Sequence, residues 1–185
     1  NNNWPINSLS FNKIIELANQ ENNKIPKEES DRLHQELDSG VAILKNEMQL
    51  NKYISSYGRM HQVKLNECFE IIRNDINGHI VEGDCDFLVI DYGCGQGIGS
   101  ILFIEFLKSL KIIASSDHLD LRLQVTLIEP SKIALKKAAQ LVNLFLKEWS
   151  LANSFIRPIN KEIDQIIVSD LISSELSGEQ TIKIH

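Results

Sequence analysis

The chain has 185 residues, 43% hydrophobic and 24% charged, enough for one domain with a proper core and a small appendage. Its 19 basic and 25 acidic side chains leave a formal charge of −6, which disfavours an extended phosphate-binding surface and with it a nucleic-acid partner. No signal peptide or membrane span is recognisable, because the most apolar stretch, 98–107, is interrupted by Glu105. Cys68, Cys85 and Cys94 lack metal-ligand spacing, so the expectation is reduced, mostly buried thiols in a cytoplasmic protein without a metal site.

From the N-terminus, Asn1 to Asn3 read as a tail or trimmed end with no initiator Met. Phe11, Ile14, Ile15 and Ala18 have helical spacing, and 19–29, polar and carrying Pro26, reads as a linker. Ser30 or a close neighbour is placed to cap a helix bearing Leu33 and Leu37, which Gly40 breaks or weakens. Val41, Leu44, Met48, Tyr53, Ile54 and Tyr57 continue an apolar face up to Gly58. Tyr57 to Lys64 then reads as a connection, followed by a helix from Met60 to about Ile76 that Asn77-Gly78 closes as a C-cap. The expected organisation is a helical extension over 1–78 and an α/β domain over 79–185.

The α/β part opens on the most telling segment, Phe87-Leu-Val-Ile-Asp91-Tyr-Gly93-Cys94-Gly95-Gln-Gly97-Ile-Gly99. An apolar run, an acid, alternating glycines and the helical pattern Ile98, Ile101, Leu102, Leu107 predict a buried parallel strand, a tight turn and a helix. Glycine in such a turn accepts positive φ and lets a ligand lie against bare backbone. Neither frame of glycines fits Gly-x-Gly-x-x-Gly, since the third position falls on Ile98 or Ser100, and no lysine lies between Phe87 and Phe106 to complete a P-loop. A nicotinamide dinucleotide and a strongly anionic ligand are therefore both disfavoured. Cys94 is expected to fill space in the loop.

Next, Leu123-Gln-Val125-Thr-Leu127-Ile128-Glu129-Pro130-Ser131 predicts a second strand ending in an acid, with Ser131 as N-cap of a helix through Leu146. In nucleoside-binding α/β folds an acid at that strand end accepts from ribose hydroxyls; a solvated carboxylate is the plain alternative. Asp91 and Glu129 stand 38 positions apart (129 − 91), against about 20 in the dinucleotide template. The excess is assigned to Lys111–Arg122, with Ser115–Asp120 as an insertion. Ser154 to Asn160 predicts a short edge strand, since Pro158 cannot donate to a ladder. Ile163 to Leu176 reads as a helix with Gly178 past its end, and Thr181 to His185 begins a further strand.

The motif Asp91-x-Gly93-x-Gly95-x-Gly97 behind an apolar strand, with Glu129 ending the next, resembles the class I S-adenosylmethionine-dependent methyltransferases over roughly Tyr57 to His185. The resemblance implies a Rossmann-like sheet, here incomplete with about four parallel strands near 87–91, 123–129, 154–159 and 181–185. It also implies S-adenosylmethionine as cofactor and an unknown methyl acceptor, with transfer driven mainly by proximity and orientation. Asp91 would orient the methionine part, and Gly93, Cys94, Gly95 and Gly97 would form the floor. Glu129 would hold the ribose, Pro130 and Asn160 would flank the base, and Tyr57 and His61 would cover the site. Each of the last three has a plain alternative: Asn160 as a turn residue, Tyr57 as packing, His61 as a cap or a solvent-facing side chain. Groups acting on the acceptor follow the fourth strand in that family, so no catalytic residue is assigned. The rival from another class is a non-catalytic methyltransferase-like module for assembly, self-associating through its N-terminal helices or an exposed sheet edge.

Overall fold

The computed structural model describes residues 9–83, 86–113, 121–149, 151, 153–162 and 180–184. Helices α1 (Phe11–Asn22), α2 (Lys27–Glu36), α3 (Glu47–Ile71) and α4 (Arg73–Glu82) precede β1 (Asp86–Tyr92), α5 (Ile98–Ile113), β2 (Arg122–Ile128), α6 (Lys132–Glu148), β3 (Phe155–Ile159) and β4 (Gln180–Ile184). The class is α/β with a parallel sheet, compatible with a Rossmann-like fold.

Side-chain packing is described for three parallel strands, β3-β2-β1, fewer than the four expected. The segment β4 is described by its backbone, which pairs parallel to β1 on the side away from β2, giving the order β3-β2-β1-β4. Strand alternation divides the side chains between two faces. Phe87, Val89, Leu123, Val125 and Leu127 enter the main core with α1, α3, α4, α5 and α6, whereas Leu88, Ile90, Tyr92 and Ile128 pack together on the opposite face. Asp91 follows Phe87 and Val89 in the alternation, so it points under α5. Because the order reverses beside β1, the loop after β1 lies at the topological switch point, where open α/β sheets bind ligands.

The N-terminal helices depart from their sequence reading in three places. The expected linker over 19–29 shrinks to a turn, since α1 continues to Asn22 and α2 starts at Lys27 behind Pro26, so Ser30 lies inside α2. Tyr57 to Lys64 is no connection but the middle of α3, a continuous helix of 25 residues. Gly58 does not interrupt it because tertiary contact overrides propensity: a Cβ there would stand 3.3 Å from Ile15 Cγ1, so the missing side chain lets α1 press against α3. Likewise Asn77-Gly78 caps nothing. Helix α4 runs through both and stops at Gly83, whose left-handed φ of 88° supplies the C-cap.

Elsewhere, α5 continues to Ile113, so the assigned excess over 111–122 begins later than expected. Residues 115–120, Cys85, the helix expected over 163–176 and Gly178 lie outside the described residues. Ser10, Asn46 and Ser131 cap α1, α3 and α6 by accepting from the N–H groups of Lys13, Gln49 and Ala134. Of the cysteines expected to be mostly buried, Cys94 is buried and Cys68 is exposed on α3. No described helix is long and apolar enough to cross a membrane.

Candidate functional site

The turn after β1 is built on three left-handed glycines, Gly93, Gly95 and Gly97, with φ of 61°, 52° and 81°. They serve different ends. At Gly95 an added Cβ would meet nothing within 4 Å, so the loop presents open backbone there. At Gly97 it would stand 3.0 Å from Val142 Cγ2 and 3.3 Å from Ala138 Cα, so this glycine seats the loop against α6. The turn is tied down by Cys94 N–H donating to Ile128 O at 3.0 Å and by Gly97 N–H donating to Cys94 O at 2.7 Å. Cys94 fills space beneath the loop, and burial pushes its thiol well above the ordinary range.

Two carboxylates flank this floor. Asp91, only 3% exposed, accepts from both the N–H and the Oγ–H of Ser100, at 3.0 and 2.7 Å. Burial pushes its carboxyl up to about 6; the two Ser100 bonds oppose the rise and nearby Glu129 adds to it. Glu129, at the end of β2, receives Gly95 N–H on Oε2 and Ser131 N–H on Oε1, both at 2.9 Å. Its carboxyl is also raised by burial, against the pull of those two donors. Two acids from adjacent strand ends thus flank one loop that contains no cation: Glu129 holds its Gly95 N–H, and Asp91 holds the first turn of the helix that follows it.

Above the loop stands α3. Tyr53 Oη and His61 Nε2 are 3.1 Å apart, and their rings stack at 5.9 Å between centroids. Burial, then Glu129, then Tyr57 raise the Tyr53 phenol, while burial and Lys64 lower the His61 imidazole. With Leu65, Tyr53 and His61 roof a cavity of about 80 Å³ whose floor is Asp91, Tyr92, Gly93, Cys94 and Gly95. Pockets for drug-sized ligands occupy roughly 300–1,000 Å³, so the space as it stands takes only a small fragment. Helix α3 and the segment entering it are fastened to the two strand-end loops: Gln96 Nε2, after β1, donates to Leu50 O at 2.9 Å, and Ser131 Oγ–H, after β2, donates to Leu44 O at 2.5 Å.

The candidate residues therefore fall in different places. Asp91, Gly93, Cys94, Gly95 and His61 line the cavity, and Glu129 borders it through Gly95. Tyr57 sits one turn aside, 5.3 Å between ring centroids from Tyr53 and stacked on His34. Asn160 clamps the end of β2, its Nδ2 donating at 2.8 Å to both Glu129 O and Pro130 O, which fixes that strand end beside the half-buried Pro130. Sequence reading missed Tyr53, Ser100 and Gln96. Tyr53 and His61 are eight positions apart, two helical turns, a signal that only a continuous α3 makes visible. Ser100 and Gln96 are the polar residues that interrupt an otherwise apolar or glycine-rich run, the available clue to a buried partner.

No protein-family model and no curated protein matches this chain.

Proposed function

We propose that this chain is the S-adenosylmethionine-binding portion of a class I methyltransferase, acting in the cytoplasm on an acceptor of unknown class. The observation that carries the reading is that Glu129 binds the N–H of Gly95, an open-backbone position at the switch point of a parallel sheet, while Asp91 from the adjacent strand lines the same cavity. The fit is one of charge and hydrogen bonding. A sulfonium and an ammonium suit a floor with two carboxylates and no cation, and ribose hydroxyls suit a carboxylate such as Glu129. Pro130 and the Asn160 clamp offer an edge for the base. When bound, the cofactor supplies the activated methyl group; the chain's residues bind and orient it. The cavity of about 80 Å³ requires the Tyr53–His61 roof to lift for a nucleoside to enter.

That same small cavity favours one second reading, a methyltransferase-like module used for protein assembly, with the α3 roof closed permanently. Thermal-shift measurements with S-adenosylmethionine, S-adenosylhomocysteine and NAD separate them. The methyltransferase reading expects stabilisation by the first two, abolished in Glu129→Ala, and none by NAD. An unmoved melting temperature at millimolar cofactor leaves assembly, and a shift with NAD alone revives a dinucleotide.

A further inference from the structure

A larger concavity lies on another part of the sheet. Along α6 and β3 runs a groove of about 660 Å³, bordered by Lys132, Leu135, Lys136, Ala139, Phe155 and Ile156. Among the described residues, no acidic side chain lines it, in a chain of net charge −6. Phe155 is 50% exposed there, far above the core aromatics.

The backbone beside the groove is a strand edge. In the described sheet β3 has a neighbour only on its β2 side. Ile159 O accepts from Glu129 N–H at 3.1 Å, so Ile159 turns its polar groups toward β2. By the alternation of a parallel strand, Ile156 and Pro158 turn theirs outward. Pro158 thus stands where its missing N–H takes nothing from the β2–β3 ladder. The outward set is the Ile156 N–H and the carbonyls of Ile156 and Pro158, which is what an added strand pairs with.

We infer that this groove receives an extended segment of a partner protein that alternates acidic and aliphatic residues and adds as a strand to the free edge of β3. Lys132 and Lys136 are one turn apart on α6, about 6 Å along its axis. Residues i and i+2 of a strand lie about 6.6 Å apart on one face, so two acids of that pattern meet the two lysines. The intervening aliphatic residues project to the other face. There Phe155 lies, because it alternates with Ile156, whose side chain packs against the main core on the α6 side. The negative charge of the chain itself disfavours a second copy as occupant.

The test uses the full chain and a blocked heptapeptide alternating valine and glutamate, with a valine–lysine heptapeptide as control. Titration calorimetry is expected to show one-to-one binding by the acidic peptide only, weakening with salt as rim charges are screened. The Lys132→Glu/Lys136→Glu double variant is expected to lose about tenfold in affinity, as two exposed ion pairs become repulsive. Its fold is checked by circular dichroism, and glutamate at the start of α6 suits the helix dipole. As a second probe of the ladder, Ile156→Pro removes the outward N–H and is expected to weaken the peptide while leaving the charge term intact. Binding that ignores both variants, absence of binding at millimolar peptide, or a dimer of the free chain that the double variant dissociates would each overturn the inference.

Discussion

Two concavities among the described residues differ in size by several-fold and in chemistry by more. The groove along β3 is wide, apolar and rimmed by lysines, while the cavity over the glycine loop is small, lined by the buried acid Asp91 and bordered through Gly95 by a second, Glu129. Volume alone points to the groove. Buried charge points to the loop, because a carboxylate kept out of water at a cost in stability needs a reason to be there. The comparison teaches that the loop was shaped around a small set of polar atoms and the groove around a surface, and each can be tested by what its residues cost.

The sharpest contrast lies within the loop itself. Gly97→Val should be the most damaging change, about 4 kcal/mol or more, since a branched side chain meets Ala138 backbone and Val142 at a left-handed φ. Denaturant unfolding of the variant checks it, and a loss below about 1 kcal/mol would mean that Gly97 does not seat the loop on α6. Asp91→Asn is expected to act in the opposite direction. The Asp91 carboxyl titrates near 6 in the folded protein and near 3.8 otherwise, so the native state binds its proton at higher pH than the unfolded chain. Stability from this group is therefore greatest below about 4, falls as pH rises to about 6 and stays low above it, by about 3 kcal/mol in all. The asparagine variant should be more stable at pH 7, with that slope between pH 4 and 6 removed, while cofactor affinity drops. Unfolding curves at several pH values decide this, and an unchanged slope contradicts the assignment of Asp91 as a buried acid that titrates above the ordinary carboxylate range.

Gln96→Ala tests the roof. It removes a second donor from Leu50 O, a carbonyl inside α3, and should cost about 1 kcal/mol, with faster hydrogen exchange in the first turns of α3. Gly95→Ala should cost only about 1 kcal/mol, since the conformation is strained for alanine but the space is open. If the proposed site is correct, that methyl weakens cofactor binding far more than it weakens the fold. The double lysine variant in the groove closes the series, with stability expected to change by less than about 0.5 kcal/mol.

How much of this was legible in the sequence follows from where the signals were local. An apolar run into Asp91, glycines needing positive φ, and a serine before an apolar helix are each decided within a few residues. The segment from Asp86 to Glu148 accordingly runs in the expected order, with Ser131 as cap. Gly58 and Gly78 misled because a glycine's meaning depends on what packs beside it. Gly58 sits inside α3 against Ile15, and Gly78 inside α4 with nothing near it, so the structure supplies no packing reason for that second glycine. Treating Gly58 as a break also hid Tyr53 from His61, and with it the roof. The role of Gly97 could not be read either, because it lies in a contact with Val142, a residue far along the chain.

The central claim is that two strand-end acids and an open glycine backbone hold a cationic thioether nucleoside. Its most direct test is titration of S-adenosylmethionine into the full chain, followed by heat and by the amide resonances of Gly93, Gly95 and Tyr53. The account predicts one-to-one binding, with those three resonances shifting most as the roof lifts from the loop. Absence of heat at millimolar cofactor, or shifts confined to residues away from the glycine loop, would contradict it.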